Sequence, residues 1–593
     1  MRPNRWLSVL TVAATAVLCL VVTSSAGAAQ GGTVAYVPAY FSSAQMAAIP
    51  NGDWIDFGGN SFDQRYSALE QVNTANVANL KTAWHTHLYV PSGGRASGLV
   101  YRGVLYVAAG NDDVYAFDGA TGDQLWHYVA GAGGGVTSGI AMGGGLIYLA
   151  QRTNTLVAID AATGGTAWSH NVDSAKLGYY MSGAPEYYNG MVIEGIAGGE
   201  NGIRGYISAF NALTGNEIWR FYTIPAPGEP GSDTWLPNSD WQHGGAPIWT
   251  HPLVDPSLGL VYAATGNAAP YNGRPAGDNL YTASIVALNA NTGKLVWYYQ
   301  TVHHDIWDDD IASSPVLFDA VINGQLRQGI DVPTKMGLNF ILDRATGKPV
   351  FKVNEVAQPQ DPAAPGLSPT QPIPEGTPFA EPCATQAEWK AAGGDDLAPD
   401  GKPFRFGCIY TPLIPTQYTV PGWHDVADWP PHAYNYKTGI LYICSTNNRG
   451  DGYEAVPIAK ANLVPGQNYT ANVSKVAGDW TKGKVGVISA LDVSNNGIRW
   501  QKYLPDGNGC YAGTATTAGG LLFVGEGSGH LIAMDAQSGS ILWTSDQLDA
   551  AVGAPPITYT GSDGRQYVEV MAGGTNSAAL PRGDSVYAFA LPK

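Results

Sequence analysis

An all-β fold, closed as an eight-bladed β-propeller with tryptophan-docked blades and long loops over one face, is predicted by three features of this sequence. A hairpin phrase recurs along the chain, glycine and tryptophan are abundant at 75 and 17 residues, and charged side chains make up only 13%. That balance suits strands joined by many turns better than it suits helices. A phrase reused at this density marks a repeat architecture, so chain length says little about domain number.

The phrase is an apolar strand ending in Asp or Asn, a turn carrying Thr-Gly or Ser-Gly, and a short strand ending in Trp. It occurs as VYAFDGATGDQLW (114–126), LVAIDAATGGTAW (156–168), ISAFNALTGNEIW (207–219) and IVALNANTGKLVW (285–297). It returns as FILDRATGKPVF (340–351), a looser ISALDVSNNGIRW (488–500) and LIAMDAQSGSILW (531–543), and the final VYAFALPK opens an eighth copy. In each hairpin the Asp or Asn accepts backbone N–H bonds, Gly takes the positive-φ position, and the next strand runs toward Trp. Trp126, Trp168, Trp219, Trp297, Trp500 and Trp543 are expected to pack between neighbouring sheets. Trp84, in LKTAW near the start, supplies the strand that completes the last copy, so eight four-stranded blades close without a long open edge. The spacing is uneven: Asp118 to Asp160 is a bare blade, whereas Asn211 to Asn289 and Asp343 to Asp492 hold extra chain. A Pro-, Gly- and Ala-rich excursion at about 355–425 is expected to project beside the axial site.

Residues 1–28 read as a secretory signal: Arg2 and Arg5 precede the apolar run Leu7–Val22, and Ala26-Gly27-Ala28 offers the cleavage pattern. The expected product is one exported domain, 29–593, periplasmic or secreted, with no later stretch apolar enough to span a bilayer. Export permits disulfides. Cys383 with Cys408 is the expected pair, since it clips the excursion, while Cys444 and Cys510 either pair or stay as buried thiols. No C-x-x-C-H is present, which excludes a covalent c-type haem. The formal charge of −17 repels phosphate backbones and argues against a nucleic-acid partner.

Between the repeats lie segments that the scaffold does not need: IAGGENGIRG (196–205), GGAPIWTHPLVDP (244–256), ATGNAAPYN (264–272), HHDIWDDD (303–310) and PTKMG (333–337). They contain Glu200, Asn267, Asp308 and Asp310, hard oxygen donors of the kind Ca²⁺ takes, and lack the His and Cys that zinc prefers. With the opening WIDFGGNSFDQRYSALEQVNTANVANLKTAW (54–84) and the closing ATTAGGLLFVGEGSGHLIAMDAQSG (515–539) and GRQYVEVMAGG (564–574), the chain resembles the pyrroloquinoline quinone (PQQ)-dependent alcohol and glucose dehydrogenases.

The resemblance implies roles. Glu200 and Asn267 would ligate the metal, with Asp308 serving as catalytic base and lying near the ion. Lys335 would bond the quinone oxygens, Trp249 would stack on the PQQ ring, and Ser182, Ala197, Gly198 and Gly199 would touch the cofactor. Lanthanide-using members carry an acid two residues after the base, as Asp310 does here. Glucose dehydrogenases share that acid without needing lanthanides, so the implied ion is Ca²⁺ or a lanthanide. The implied reaction oxidises an alcohol, polyol or sugar: Asp308 takes the hydroxyl proton while hydride passes to PQQ C5, and a separate cytochrome or quinone accepts the electrons.

The pattern departs from methanol-type relatives in one loop, where AGAGGGVTSGIA (130–141) replaces two adjacent cysteines. The arginine and early glutamate that hold PQQ carboxylates are also not found; Arg95 stands at the early position, and Asp428 where some relatives have an amide. Taken singly, an Asp cluster is more often a solvated turn and a Trp more often core. The rival readings are a non-catalytic binding or assembly propeller, which has no use for Glu200, Asn267, Asp308 and Lys335 together, and a dehydrogenase for a polymeric alcohol such as polyvinyl alcohol.

Overall fold

The computed structural model describes residues 41–593 apart from 91–93, 132–137, 238, 392, 399, 422–425, 448–450, 457–463, 477–484 and 576–579. The leader expected over 1–28 and most of the glycine loop 130–141 lie outside the described residues. Each complete copy of the repeat phrase other than FILDRATGKPVF sits in the last two strands of an antiparallel meander. Four-stranded sheets run from Leu99–Tyr101 to Gln124–Tyr128, from Ala141–Gly143 to Thr166–Asn171, from Glu186–Tyr188 to Glu217–Tyr222, and from Leu253–Asp255 to Leu295–Gln300. Another joins Ala433–Asn435, Ile440–Thr446, Gly486–Asp492 and Gly497–Tyr503. The inner strands are buried on both faces, as Val114–Asp118 is throughout, whereas the outer Gln124–Tyr128 is largely exposed. Sheets stacked face to face leave only their outermost strand to water.

The repeat explains the stacking. Asp118 accepts N–H bonds from Ala120 and Thr121 at 2.8 and 3.2 Å, and Asp160, Asn211, Asn289 and Asp535 cap their turns in the same way. The turn glycines Gly122, Gly164, Gly215, Gly293, Gly347 and Gly539 hold φ between 66° and 78°. The indole of the preceding sheet lies against each of them, and a Cβ there would meet Trp84, Trp126, Trp168, Trp219, Trp297 or Trp500 at 2.5–2.8 Å. Glycine is therefore needed twice over, for the backbone and for the ring. Indole N–H groups donate onward: Trp126 to Ala161 O (3.0 Å), Trp168 to Ala212 O (2.9 Å), Trp219 to Ala290 O (2.9 Å) and Trp297 to Arg344 O (3.1 Å).

The ring closes as expected. Lys81–His87 pairs antiparallel with Ser585–Ala590, and Trp543 donates to Leu80 O just before that strand. Two sheets correct the uniform four-strand expectation. The sheet of Val316–Ile322, Gln325–Pro333 and Asn339–Asp343 has three strands. Its copy of the phrase continues as KPVF, and Pro349, which has no N–H to donate, leaves only an isolated bridge to Leu342. Conversely, Tyr66–Ser67 adds in parallel to Thr514–Thr517 and makes that sheet five-stranded.

The segment 54–67 spans the inner edges of many sheets. Trp54 pairs with Val100, Val254 and Leu317 donate to Ser61 and Phe62, Tyr434 donates to Gln64 O, and Thr516 donates to Arg65 O. Arg65, fully buried, donates to the carbonyls of Thr514 and Pro556. This segment therefore ties the inner edges of several sheets together. The excursions form two extra sheets, Val353–Ala357 with Thr370–Pro374, and one assembled from Phe404–Phe406, Tyr418–Val420, Asp451–Ala455 and Asn472–Val476. The expected Cys383–Cys408 disulfide is present, and Cys444 pairs with Cys510. Among the described residues no helix is long and apolar enough to cross a membrane.

Candidate active site

Each candidate side chain is held by local chemistry. Glu200 is the middle of a single 3₁₀ turn, Gly199–Asn201, entered from Gly198 at φ 105° and left through Gly202 at φ 64°. A Cβ on Gly198 would stand 2.1 Å from Gly178 O, so only glycine permits the approach. Asn267 follows the strand Leu260–Ala264; its amide N–H donates to Ala268 O at 3.2 Å, leaving the amide oxygen as the end a cation could use. Lys335 stands in the hairpin loop between Gln325–Pro333 and Asn339–Asp343, where Thr334 and Gly337 bond back across the turn.

Asp308 lies in an irregular segment at φ 68°, an unusual backbone for a residue with a Cβ. The neighbouring Asp305 fixes it, accepting the N–H groups of Trp307 (2.8 Å) and Asp309 (3.2 Å). The Trp307 indole is pinned in turn to Thr411 O at 2.8 Å and lies edge-on to Tyr410, so the excursion braces this turn. Sequence reasoning gave Asp305 no role; its position three residues before Asp308 is an Asx-type turn signal that could have revealed it.

These elements converge on one cavity of about 360 Å³ lined by Tyr180, Ser182, Ala197, Gly198, Glu200, Pro247, Trp249, Asp308, Lys335, Asp428 and Trp429. Seven of the ten residues given a role from sequence are in that lining, together with Asp428. The other three stand directly behind it: Asp310 bonds to two lining residues, while Gly199 packs on Pro247 near the Asn267 amide. Chemistry rather than size marks this cavity, since a hollow of about 740 Å³ at Thr74, Asn435, Trp500 and Asp535 holds none of these residues.

The Lys335 ammonium lies 3.2 Å from Asp308 Oδ2 and 2.6 Å from Asp310 Oδ1, with all three side chains almost wholly buried. The Trp249 indole donates to the other Asp310 oxygen at 3.2 Å, which locks the plane of the ring. Burial pushes the Glu200 carboxyl up, the Asp310 charge raises it further, and Lys335 opposes both. Asp428 is pushed up to about 6, mainly by burial, against the pull of Lys335 and Arg95. Carboxylates thus outnumber cations here, an imbalance that favours a bound cation.

Several neighbours were missed or left without a role in the sequence. Tyr271 is buried beside Asp308, and burial with the charges of Asp308, Glu200 and Asp310 holds its phenol protonated. Trp429 faces the same cavity as Trp249 and carries Arg95 over its ring at 4.9 Å. Two buried donors of Arg95, Nε and Nη1, have no hydrogen-bond acceptor. Tyr180 is covered by Arg152 at 4.4 Å. A second excursion also reaches the site, since Tyr469 N–H donates to Glu200 O at 2.6 Å. None of these carries a local motif; they meet only in the folded chain.

The donor set tests well against the two groups the resemblance implied. Glu200, Asn267, Asp308 and Asp310 offer oxygen only, as a hard cation requires. The flat hydrophobic walls with orphaned guanidinium donors of Arg95 suit a planar polycarboxylate.

The family model for the glucose/ethanol/alcohol dehydrogenase β-propeller domain matches residues 54–138 and 173–568. That for the outer membrane protein assembly factor BamB matches 110–235 and stops short of Trp249, Asn267, Asp308 and Lys335. The quinohemoprotein alcohol dehydrogenase of Comamonas testosteroni is 32% identical over 575 residues, 90% of this chain and 74% of its own. The solved quinohemoprotein alcohol dehydrogenase ADHIIG of Pseudomonas putida HK5 superposes with TM-score 0.77 and 30% identity, over 94% of this chain and 83% of its own. A europium-containing methanol dehydrogenase does so with TM-score 0.74 and 25% identity, over 91% and 98%.

Proposed function

This chain belongs to the PQQ-dependent alcohol dehydrogenase family, and we propose that it oxidises an alcohol, polyol or sugar hydroxyl in the cavity between Trp249 and Trp429. The reading takes the meanders and the three-stranded sheet as eight blades around one axis. It also takes residues 1–28 as a leader removed on export, 29–593 as the working domain in the periplasm or medium, and a separate cytochrome or quinone as the electron acceptor. Glu200, Asn267, Asp308 and Asp310 would hold Ca²⁺ or a lanthanide ion. Ser182, Ala197, Gly198, Gly199, Trp249, Lys335 and Arg95 would hold PQQ.

When bound, PQQ supplies a two-electron sink and the ion a Lewis acid. The chain's own groups do the rest. Asp308 accepts the proton of the substrate hydroxyl at its carboxylate. Lys335 lies beside that carboxylate and offers a positive charge where negative charge develops. Trp249, tied to Asp310, is a shelf that cannot tilt, and Pro247 and Trp429 keep bulk water from the reacting face. Asp305 holds Asp308 at its positive φ.

One observation carries the reading: the Lys335 ammonium sits between Asp308 and Asp310 inside the one cavity that the implied cofactor residues line. Purified protein reconstituted with PQQ and either Ca²⁺ or La³⁺ should reduce a dye with alcohols, polyols or aldoses. Asp308→Asn should lower kcat by about 10²–10⁴-fold while PQQ absorbance is retained. Near-normal turnover of that variant, or no turnover with either ion, overturns the assignment.

A further inference from the structure

A second cluster of buried side chains able to hold a cation lies outside the cavity above. Asp56 comes from the segment 54–67, Glu186 from the inner strand Glu186–Tyr188, and His251 from the residues between Trp249 and the strand Leu253–Asp255. Their relative exposures are 3%, 0% and 2%, and one ligand atom from each lies within 4.8 Å of the others. His251 Nε2 is 3.7 Å from Asp56 Oδ1 and 3.7 Å from Glu186 Oε2. These distances are too long for hydrogen bonds. They are close to the spacing of about 3.4 Å for two donors that share a tetrahedral ion with bonds of about 2.1 Å.

The hydrogen bonding around the trio points the same way. His251 Nδ1 lies 2.9 Å from Ala184 O and donates to it, which turns Nε2 toward the two carboxylates. A histidine fixed by a carbonyl at one nitrogen is the usual outer support of a metal ligand. Nε2 itself has no hydrogen-bond partner, nor has either oxygen of Glu186. Close by, both oxygens of Asp63, 1% exposed, are also without a partner. Arg65, whose charge reaches Asp63, donates N–H groups to the carbonyls of Phe57, Thr514 and Pro556. So many buried acids around one imidazole are costly without a further positive charge.

We propose that Asp56, Glu186 and His251 form a second metal site, for one divalent first-row transition-metal ion such as Zn²⁺ or Mn²⁺. The mixed imidazole and carboxylate set suits that class better than Ca²⁺. The ion cross-links the segment 54–67 to the strand Glu186–Tyr188 and to the residues just before Leu253–Asp255. The site is independent of the dehydrogenase reading, because none of its ligands lines the cavity.

The test is the metal content of the full chain, expressed with Zn²⁺ or Mn²⁺ in the medium and exchanged into metal-free buffer containing Ca²⁺. Elemental analysis should find about one Zn²⁺ or Mn²⁺ per chain beside Ca²⁺. Glu186→Gln and His251→Gln should each lower that transition-metal content at least tenfold and leave Ca²⁺ and PQQ content unchanged. If neither variant folds, growth of the wild type with Co²⁺ decides, since a stoichiometric ion in an N,O site shows visible ligand-field absorption. Wild type without a stoichiometric transition metal and without the Co²⁺ band overturns the proposal, as does full metal content in both variants. Those results would mean that Asp56 and Glu186 share a proton instead.

Discussion

Lys335 is the residue whose removal discriminates most sharply. At 2.6 and 3.2 Å from two buried carboxylates, its ammonium is worth about 5–6 kcal/mol to each at an effective dielectric of about 20. Desolvation of the three groups offsets much of this, and breaking a buried pair typically costs about 3–5 kcal/mol. Lys335→Met keeps the stem and deletes the cation that Asp308 and Asp310 share. A chain of 593 residues unfolds with an entropy of about 1.2 kcal/mol/K, so the metal-free variant should melt about 2–4 °C below wild type. In the proposed function Glu200, Asn267, Asp308 and Asp310 would hold a cation, which would restore the missing positive charge. The rise in Tm on adding Ca²⁺ or La³⁺ should therefore be larger in the variant than in wild type. Differential scanning calorimetry of the metal-free protein, with and without each ion, reads both quantities. A metal-free Tm within 1 °C of wild type, or an equal ion-induced rise in both proteins, would refute the electrostatic argument.

Other perturbations test the scaffold and the clamp. Gly293→Ala, at φ 66° with its Cβ 2.5 Å from the Trp219 indole, should cost more than about 2 kcal/mol, whereas Gly259→Ala, at φ 63° in open space, should cost about 1; chemical denaturation compares them. Arg95→Gln should weaken PQQ binding about tenfold or more without changing Ca²⁺ affinity, read by absorbance titration and calorimetry. Burial pushes Glu569 up to about 8, with Arg65 opposing. The unfolded chain ionises this group near pH 4 while the folded chain keeps it neutral, so its share of stability falls as pH rises from about 4 to 8. Glu569→Gln should flatten that slope between pH 5 and pH 8 in denaturation curves; an unchanged slope would show that the group is ionised in the fold.

By itself the sequence determined the repeat scaffold and the residue types that meet in the candidate site. The turn phrase repeats because each Asp or Asn, each Gly and each Trp performs a local task that holds in every sheet, and local tasks leave local patterns. Glu200, Asp308 and Lys335 were legible for a related reason: each rides on a short turn whose own residues hold it. Only the tertiary structure decided what surrounds them. Arg95, Tyr271, Trp429 and the Tyr469 contact come from separate loops, and nothing in their spacing encodes a meeting. The three-stranded sheet at Pro349 and the parallel Tyr66–Ser67 strand were likewise settled by pairing across long separations. The trio Asp56, Glu186 and His251 is the extreme case, because the segment 54–67 brings an acid from the start of the domain to a histidine almost two hundred residues later. Packing around a closed axis puts such groups together regardless of their order in the chain.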